Sequence, residues 1–137
     1  MPVFLLDTCA VIWIAREEPL REPAASVVME LYTEEGRLAV SPITAWEVAM
    51  LAAKGRMALS LRPEIWFDRI CAIPGVALAE MPPSVLIASC SLPGSLHADP
   101  ADRILAATAR AFGYTLVTRD RRLLDYGGEG HIRVMGC

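Results

Sequence analysis

The chain has 137 residues, enough for one compact domain with a real core, and its 54% hydrophobic and 21% charged residues describe an ordinary globular protein with a well-filled interior. A formal net charge of −3 argues against a general basic coat for nucleic acid, yet apart from Lys54 every basic side chain is arginine, which suits bidentate phosphate contact. No segment approaches the roughly 18 consecutive apolar residues of a membrane span, and the start, Met1 to Asp7, lacks a basic region and breaks too early for a signal peptide, so a cytoplasmic protein with no membrane association is expected.

Val3 to Leu6 is a continuous apolar run closed by Asp7 and reads as a strand buried on both faces. Thr8 is expected to cap the helix that follows, about Ala10 to Arg16. A second helix from about Glu22 puts Ala25, Val28, Met29 and Tyr32 on one face and stops at Gly36. Leu38 to Val40 is a second strand. Ser41-Pro42 then supplies a cap and a proline at the first helical position for a helix running to Lys54-Gly55. Ile43, Trp46, Met50 and Ala53 recur in it at helical spacing, which puts Glu47 at the edge of its core face.

Arg62 to Ile73 forms an amphipathic helix introduced by Pro63, and Val76 to Ala79 a weaker third strand. Pro82-Pro83 opens a short helix toward Cys90, and the loop from Leu92 ends at His97-Ala98-Asp99-Pro100. Ala101 to Phe112 is the clearest helix, with small residues that permit close packing and Gly113 in the preferred terminating position. Tyr114 to Thr118 and Ile132 to Met135 are the fourth and fifth strands, with no regular element assigned between Asp120 and Ile132. Strands alternating with helices predict an α/β fold whose mostly parallel sheet is covered on both faces, in a single domain over residues 1–137.

In such sheets sites form at the carboxyl ends of the strands, where Asp7 and Asp120 both lie. An acid after a strand ordinarily caps the next helix, and Asp99 before Pro100 is well placed for that. Asp102, in the first turn, is welcome to the helix dipole. Glu47 lies within a helix, so only a shared partner explains Asp7, Glu47 and Asp120 together. Hard oxygen donors with few histidines indicate Mg²⁺ or Mn²⁺, which can activate water for phosphodiester hydrolysis. Neutralisation of these acids by a metal also keeps a nucleic-acid partner compatible with the acidic balance. Cys9, Cys71, Cys90 and Cys137 form no C-x-x-C pair and suggest neither a zinc site nor a disulfide scaffold.

Leu5-Leu6-Asp7-Thr8, Ser41-Pro42-Ile43-Thr44-Ala45-Trp46-Glu47-Val48, Asp99-Pro100-Ala101-Asp102-Arg103-Ile104-Leu105-Ala106-Ala107-Thr108-Ala109 and Leu116-Val117-Thr118-Arg119-Asp120 together resemble the PIN-domain family, and within it the VapC toxins of bacterial toxin–antitoxin pairs. The resemblance implies a PIN-like three-layer α/β/α sandwich, a Mg²⁺- or Mn²⁺-dependent endoribonuclease, an RNA substrate, inhibition by a VapB-type antitoxin and a homodimer. Carried over residue by residue, Asp7, Glu47 and Asp102 match the acids that hold the first metal. Asp120 matches the more variable fourth acid, which helps hold a second metal or positions the attacking water. Asp99 belongs to the Asp-Pro-x-Asp-Arg segment, where Ala101 replaces a common aromatic residue.

Thr8 and Thr118 are candidates to hydrogen-bond the carboxylates or water. Arg103, Arg119, Arg121 and Arg122 follow site acids and are candidates for RNA phosphates, Arg119 first, with solvated surface charges as the ordinary alternative. His97 and His131 receive no role. The stripe of Trp13, Ile14, Val27, Val28 and Leu31 reads as core, although the resemblance suggests that part of it and the helix near Trp66-Phe67 forms a dimer contact or an antitoxin groove. Competing chemistries fail on single residues. A haloacid-dehalogenase-type phosphotransfer site needs an acid where Cys9 stands, and a receiver domain needs a lysine late in the chain. No G-x-x-x-x-G-K-[ST] or G-x-S-x-G run exists. A PIN-fold RNA- or protein-binding module without cleavage activity is the alternative that remains.

Overall fold

A computed structural model describes residues 2–137. In chain order the elements are β1 (Phe4–Leu6), α1 (Thr8–Ala15), α2 (Ala24–Leu31), β2 (Leu38–Val40), α3 (Pro42–Ala53), α4 (Pro63–Cys71), β3 (Val76–Leu78), α5 (Pro83–Ala88), α6 (Pro100–Phe112), β4 (Thr115–Thr118), α7 (Arg121–Gly128) and β5 (Arg133–Gly136). The strands form one five-stranded sheet in the order β3-β2-β1-β4-β5, and every neighbouring pair is parallel.

Alternation along the central strands divides the core in two. Phe4, Leu6, Leu38, Val40 and Val117 face Ala10 and Val11 of α1, Ala24, Val28 and Leu31 of α2 and Ile70 of α4. Leu5, Ala39 and Leu116 face Ile43 of α3, the small-residue side of α6 around Leu105, Ala106 and Ala109, and Leu123 and Tyr126 of α7. The result is the three-layer α/β/α sandwich that the sequence pattern implies. Burying a side chain such as Leu5 or Leu105 stabilises the fold by about 1.5–3 kcal/mol.

Starting from the centre, the chain lays β2 and β3 on one side of β1 and then crosses to place β4 and β5 on the other. The order therefore reverses between β1 and β4, which is where open α/β sheets form a crevice at the carboxyl ends of the strands. Asp7 follows β1 directly and Asp120 follows β4 by two residues, so the two acids stand on opposite lips of that crevice.

Four local expectations are corrected. Asp7, not Thr8, caps α1, because its carboxylate reaches the Ala10 N–H and frees the Thr8 hydroxyl for another partner. On α3 the buried residues are Ile43, Thr44 and Val48, while Trp46 is 51% exposed. Trp46 shares helical spacing with Ile43 but lies outside the stripe centred between Ile43 and Val48, so Glu47 sits inside the inward face rather than at its edge. On α2 the buried set is Ala24, Val28 and Leu31, which turns Met29 out to 70% exposure. Residues 121–128, assigned no element, form α7, with Asp120 as the cap and Leu123 and Tyr126 buried.

Gly127 explains how a helix ending in two glycines is tolerated there. A Cβ on it would lie 2.3 Å from Val134 Cγ2, so only a glycine lets α7 pack this closely against β5. At the end of α6, Gly113 adopts φ 69°, the left-handed cap conformation expected of it.

Candidate metal centre

Asp7 is 4% exposed, and each of its carboxylate oxygens accepts one hydrogen bond. Its Oδ1 accepts from the Ala10 N–H at 2.8 Å, and its Oδ2 accepts from the Thr118 hydroxyl at 2.5 Å. Its own backbone N–H donates to Val117 O at 3.0 Å, which fixes the residue to β4. Burial pushes the Asp7 carboxyl up to about 6. The Thr118 and Ala10 hydrogen bonds oppose that rise, and the Asp102 and Asp120 charges add to it.

Glu47 is half-buried and reaches the same place from α3. The Thr8 hydroxyl donates to its Oε1 at 2.5 Å, and the Thr8 and Thr44 hydroxyl oxygens lie 3.0 Å apart. Since Thr8 has one proton and gives it to Glu47, Thr44 is the donor in that second contact. Thr44 is thus a buried supporting residue that was not singled out from the sequence. Its signal was a polar side chain on the inward stripe of an apolar helix. Burial raises the Glu47 carboxyl, the Thr8 bond opposes this, and the charges of Asp102, Asp99 and Asp7 raise it further.

Asp99 caps α6, its Oδ1 accepting from the Asp102 N–H at 3.0 Å, and so sets the backbone of Asp102. The Asp102 side chain meets His97, Nε2 to Oδ2 at 2.6 Å. Burial raises the Asp102 carboxyl against the pull of the His97 hydrogen bond, and Asp99 and Asp120 add to the rise. His97 received no role from the sequence because a lone histidine in a loop carries no spacing signal. The bend at Ala98, just before α6, brings it back onto a residue five positions later.

Asp120 behaves oppositely. Burial alone would raise its carboxyl, but the Arg122 side-chain bond, the N–H groups of Arg122 and Leu123 and the Arg122 charge together lower it. Arg122 Nη2 lies 3.2 Å from Oδ2, and the two N–H groups donate to Oδ1 at 2.8 and 3.3 Å. The Asp120 backbone N–H also donates to Thr118 Oγ1 at 3.0 Å, so one threonine serves both lips of the crevice.

Potential ligand atoms of His97, Asp102 and Asp120 lie within 4.8 Å of one another, a set that leaves out Asp7 and Glu47. The charge of Asp102 raises both Asp7 and Glu47, the charge of Asp7 also raises Glu47, and Cys9, in the first turn of α1, registers the whole group. Desolvation first, then Asp7, Glu47, Asp102 and Asp120 in turn, push its thiol up to about 12.

The arginines divide differently. Arg119 lies with its guanidinium 3.6 Å from the centre of the Trp13 ring and donates to the Cys137 carbonyl at 2.8 Å. Arg103 donates to the carbonyls of Ser89, Leu96 and His97 and ties a loop. Arg121 pairs with Asp125 on the surface and Arg122 with Asp120. Trp13, Ile14 and Val27, with Trp66 and Phe67, pack partly buried against the core of the first face. An open groove lined by Ile12, Ile14, Met57, Leu59, Trp66 and Ile73 runs beside them. No helix among the described residues is long and apolar enough to cross a membrane.

Residues 4–129 match the family described as PIN domain. Ribonuclease VapC22 of Mycobacterium tuberculosis is 37% identical over 126 residues, covering 92% of this chain and 93% of its own. In fold, the chain is similar to the DNA-bound VapBC of Salmonella typhimurium, with a TM-score of 0.67, 23% identity and coverage of 99% and 98% of the two chains. It is similar as well to the VapBC2 of Rickettsia felis bound to a promoter DNA fragment, with a TM-score of 0.70, 15% identity and 98% coverage of each chain.

Proposed function

Because this chain belongs to the PIN-domain family, we propose that it is a VapC-type toxin, an endoribonuclease that hydrolyses RNA phosphodiester bonds with a divalent metal. The observation that carries the reading is that Asp7, Glu47 and Asp102 are carboxyls raised first by burial, with the charge of Asp102 adding repulsion at both Asp7 and Glu47. Among the described residues the only basic side chain bonded to Asp7, Glu47, Asp102 or Asp120, apart from His97, is Arg122, and it serves Asp120. A bound cation would relieve that repulsion, and hard carboxylate oxygens fit Mg²⁺ or Mn²⁺.

Asp7, Glu47 and Asp102 would hold the ion, with Asp120 joining them or holding a second one. The ion when bound supplies Lewis-acid stabilisation of the phosphate and a more acidic water. The chain's own part is preorganisation. Ala10 N–H and Thr118 orient Asp7, Thr8 orients Glu47, and Asp99 fixes the start of α6 beneath Asp102. Asp120, kept ionised by Arg122, is suited to accept a hydrogen bond from the attacking water. Arg119, which spends one donor on Cys137, keeps others for an RNA phosphate.

The structural relatives are VapBC complexes, which supports a VapB-type antitoxin as partner. The groove beside α1 and α4 is the surface proposed for it, and a homodimer and a cytoplasmic location complete the reading. Expression of the chain alone is expected to arrest growth, with co-expression of the neighbouring antitoxin restoring it. Sequencing of new RNA 5′ ends after brief induction should reveal cleavage that Asp7→Asn abolishes. Arrest without new ends, or arrest undiminished in that variant, would refute a nucleolytic toxin.

A further inference from the structure

His97 has no part in the function proposed so far, yet its ring is only 15% exposed and its Nε2 lies 2.6 Å from Asp102 Oδ2. Its other nitrogen, Nδ1, is buried with no hydrogen-bond partner among the described residues. A neutral imidazole carries one N–H, and the two placements are unequal. With the proton on Nδ1, a buried donor is unmade and the bare Nε2 lone pair faces a carboxylate oxygen. With the proton on Nε2, the Asp102 bond is made and only a lone pair is orphaned, which avoids the larger penalty. The surroundings select the Nε2–H tautomer.

We propose that His97 is a positioning residue for Asp102: its Nε2–H holds Oδ2, so that the carboxylate presents its other oxygen to the metal. This deepens the reading above and rests on the metal site proposed there.

A second set of contacts supports it. Arg103, the residue after Asp102, donates to the carbonyls of Leu96 at 2.8 Å, His97 at 3.4 Å and Ser89 at 2.8 Å. Neighbouring residues at the start of α6 thus hold the same loop, one by its backbone and one by the His97 ring. Asp99 fixes the Asp102 backbone, accepting its N–H at 3.0 Å. The loop is built to deliver the imidazole to one oxygen of one carboxylate.

The contrasting role, His97 as a ligand in its own right, fits the 4.8 Å spread of His97, Asp102 and Asp120 but not Nδ1. A ligating histidine nearly always donates its second ring nitrogen to a partner, and here Nδ1 has none among the described residues.

Mn²⁺ binding by the full chain, measured by calorimetry and pulsed EPR, tests the assignment. Wild type is expected to bind Mn²⁺ with no directly coordinated nitrogen. His97→Phe should bind about 10–100-fold more weakly, the usual penalty for losing an orienting partner, while His97→Gln, whose amide can reach the Nε2 position, recovers most of the affinity. A directly coordinated nitrogen in wild type overturns the proposal without any variant. So does full affinity in His97→Phe, or a Gln variant as weak as Phe. Failure of wild type to bind Mn²⁺ at all is a separate outcome: it refutes the metal-site reading and takes this proposal with it.

Discussion

The Thr118 hydroxyl donates to Asp7 Oδ2 at 2.5 Å and accepts the N–H of Asp120 at 3.0 Å. A single buried side chain on β4 thereby sets both acids that flank the crevice between β1 and β4. Thr118→Val keeps the shape and removes both bonds. We expect a loss of about 1–3 kcal/mol in urea unfolding near neutral pH, where Asp7 would be left charged with one donor fewer. The loss should shrink at pH 4. A variant as stable as wild type at both values would show that the threonine is not holding Asp7.

The pH dependence of the metal-free protein has a definite sign. Asp7 rises from 3.8 to about 6 on folding, so it stabilises the fold fully below pH 3.8 and that contribution is lost as pH climbs through about 6. Two units correspond to roughly 3 kcal/mol. Glu47 and Asp102 are raised as well and act in the same direction, while lowered Asp120 stabilises above its unfolded value and loses this only in stronger acid. Thermal unfolding in chelator should therefore show stability falling between pH 4 and 7, and saturating Mn²⁺ should remove the fall. A rise over that interval would contradict the burial of Asp7.

Asp7→Asn separates stability from function. Asparagine still caps α1, so the variant should be as stable as wild type at pH 4 and more stable by up to roughly 3 kcal/mol at pH 7, while RNA cleavage disappears. Lower stability at pH 7 would mean that the charged form of Asp7 is favourable in the metal-free fold.

Gly127→Val tests the packing that shapes the far side of the site. Its Cβ has only 2.3 Å to Val134, and we expect about 1–3 kcal/mol of destabilisation in chemical denaturation. Gly128→Ala, where a Cβ meets nothing within 4 Å, is the matched control and should be near neutral.

Much of this molecule is legible in its sequence because apolar strands ending in acids are unusual. Asp7 after Leu6 and Asp120 after Leu116-Val117-Thr118 mark the strand ends that line the crevice, and Pro42, Pro100 and Gly113 mark helix ends. Relations between distant side chains were not legible. The Thr44-Thr8-Glu47 chain spans β2, and the His97 contact depends on how a loop folds back. Trp46 misled because spacing alone does not say which side of a stripe is inward. The sequence pattern gives residues 121–128 no element, although Asp120 as a cap with Leu123 and Tyr126 three apart was the available sign of α7.

The most direct measurement is cleavage of end-labelled RNA by the purified chain, with Mn²⁺ or chelator, beside Asp102→Asn of verified fold. Metal-dependent product in wild type is expected, with none in chelator and none from the variant at any Mn²⁺ concentration. Equal cleavage in chelator, or full activity in Asp102→Asn, would contradict a catalytic metal held by these converging acids.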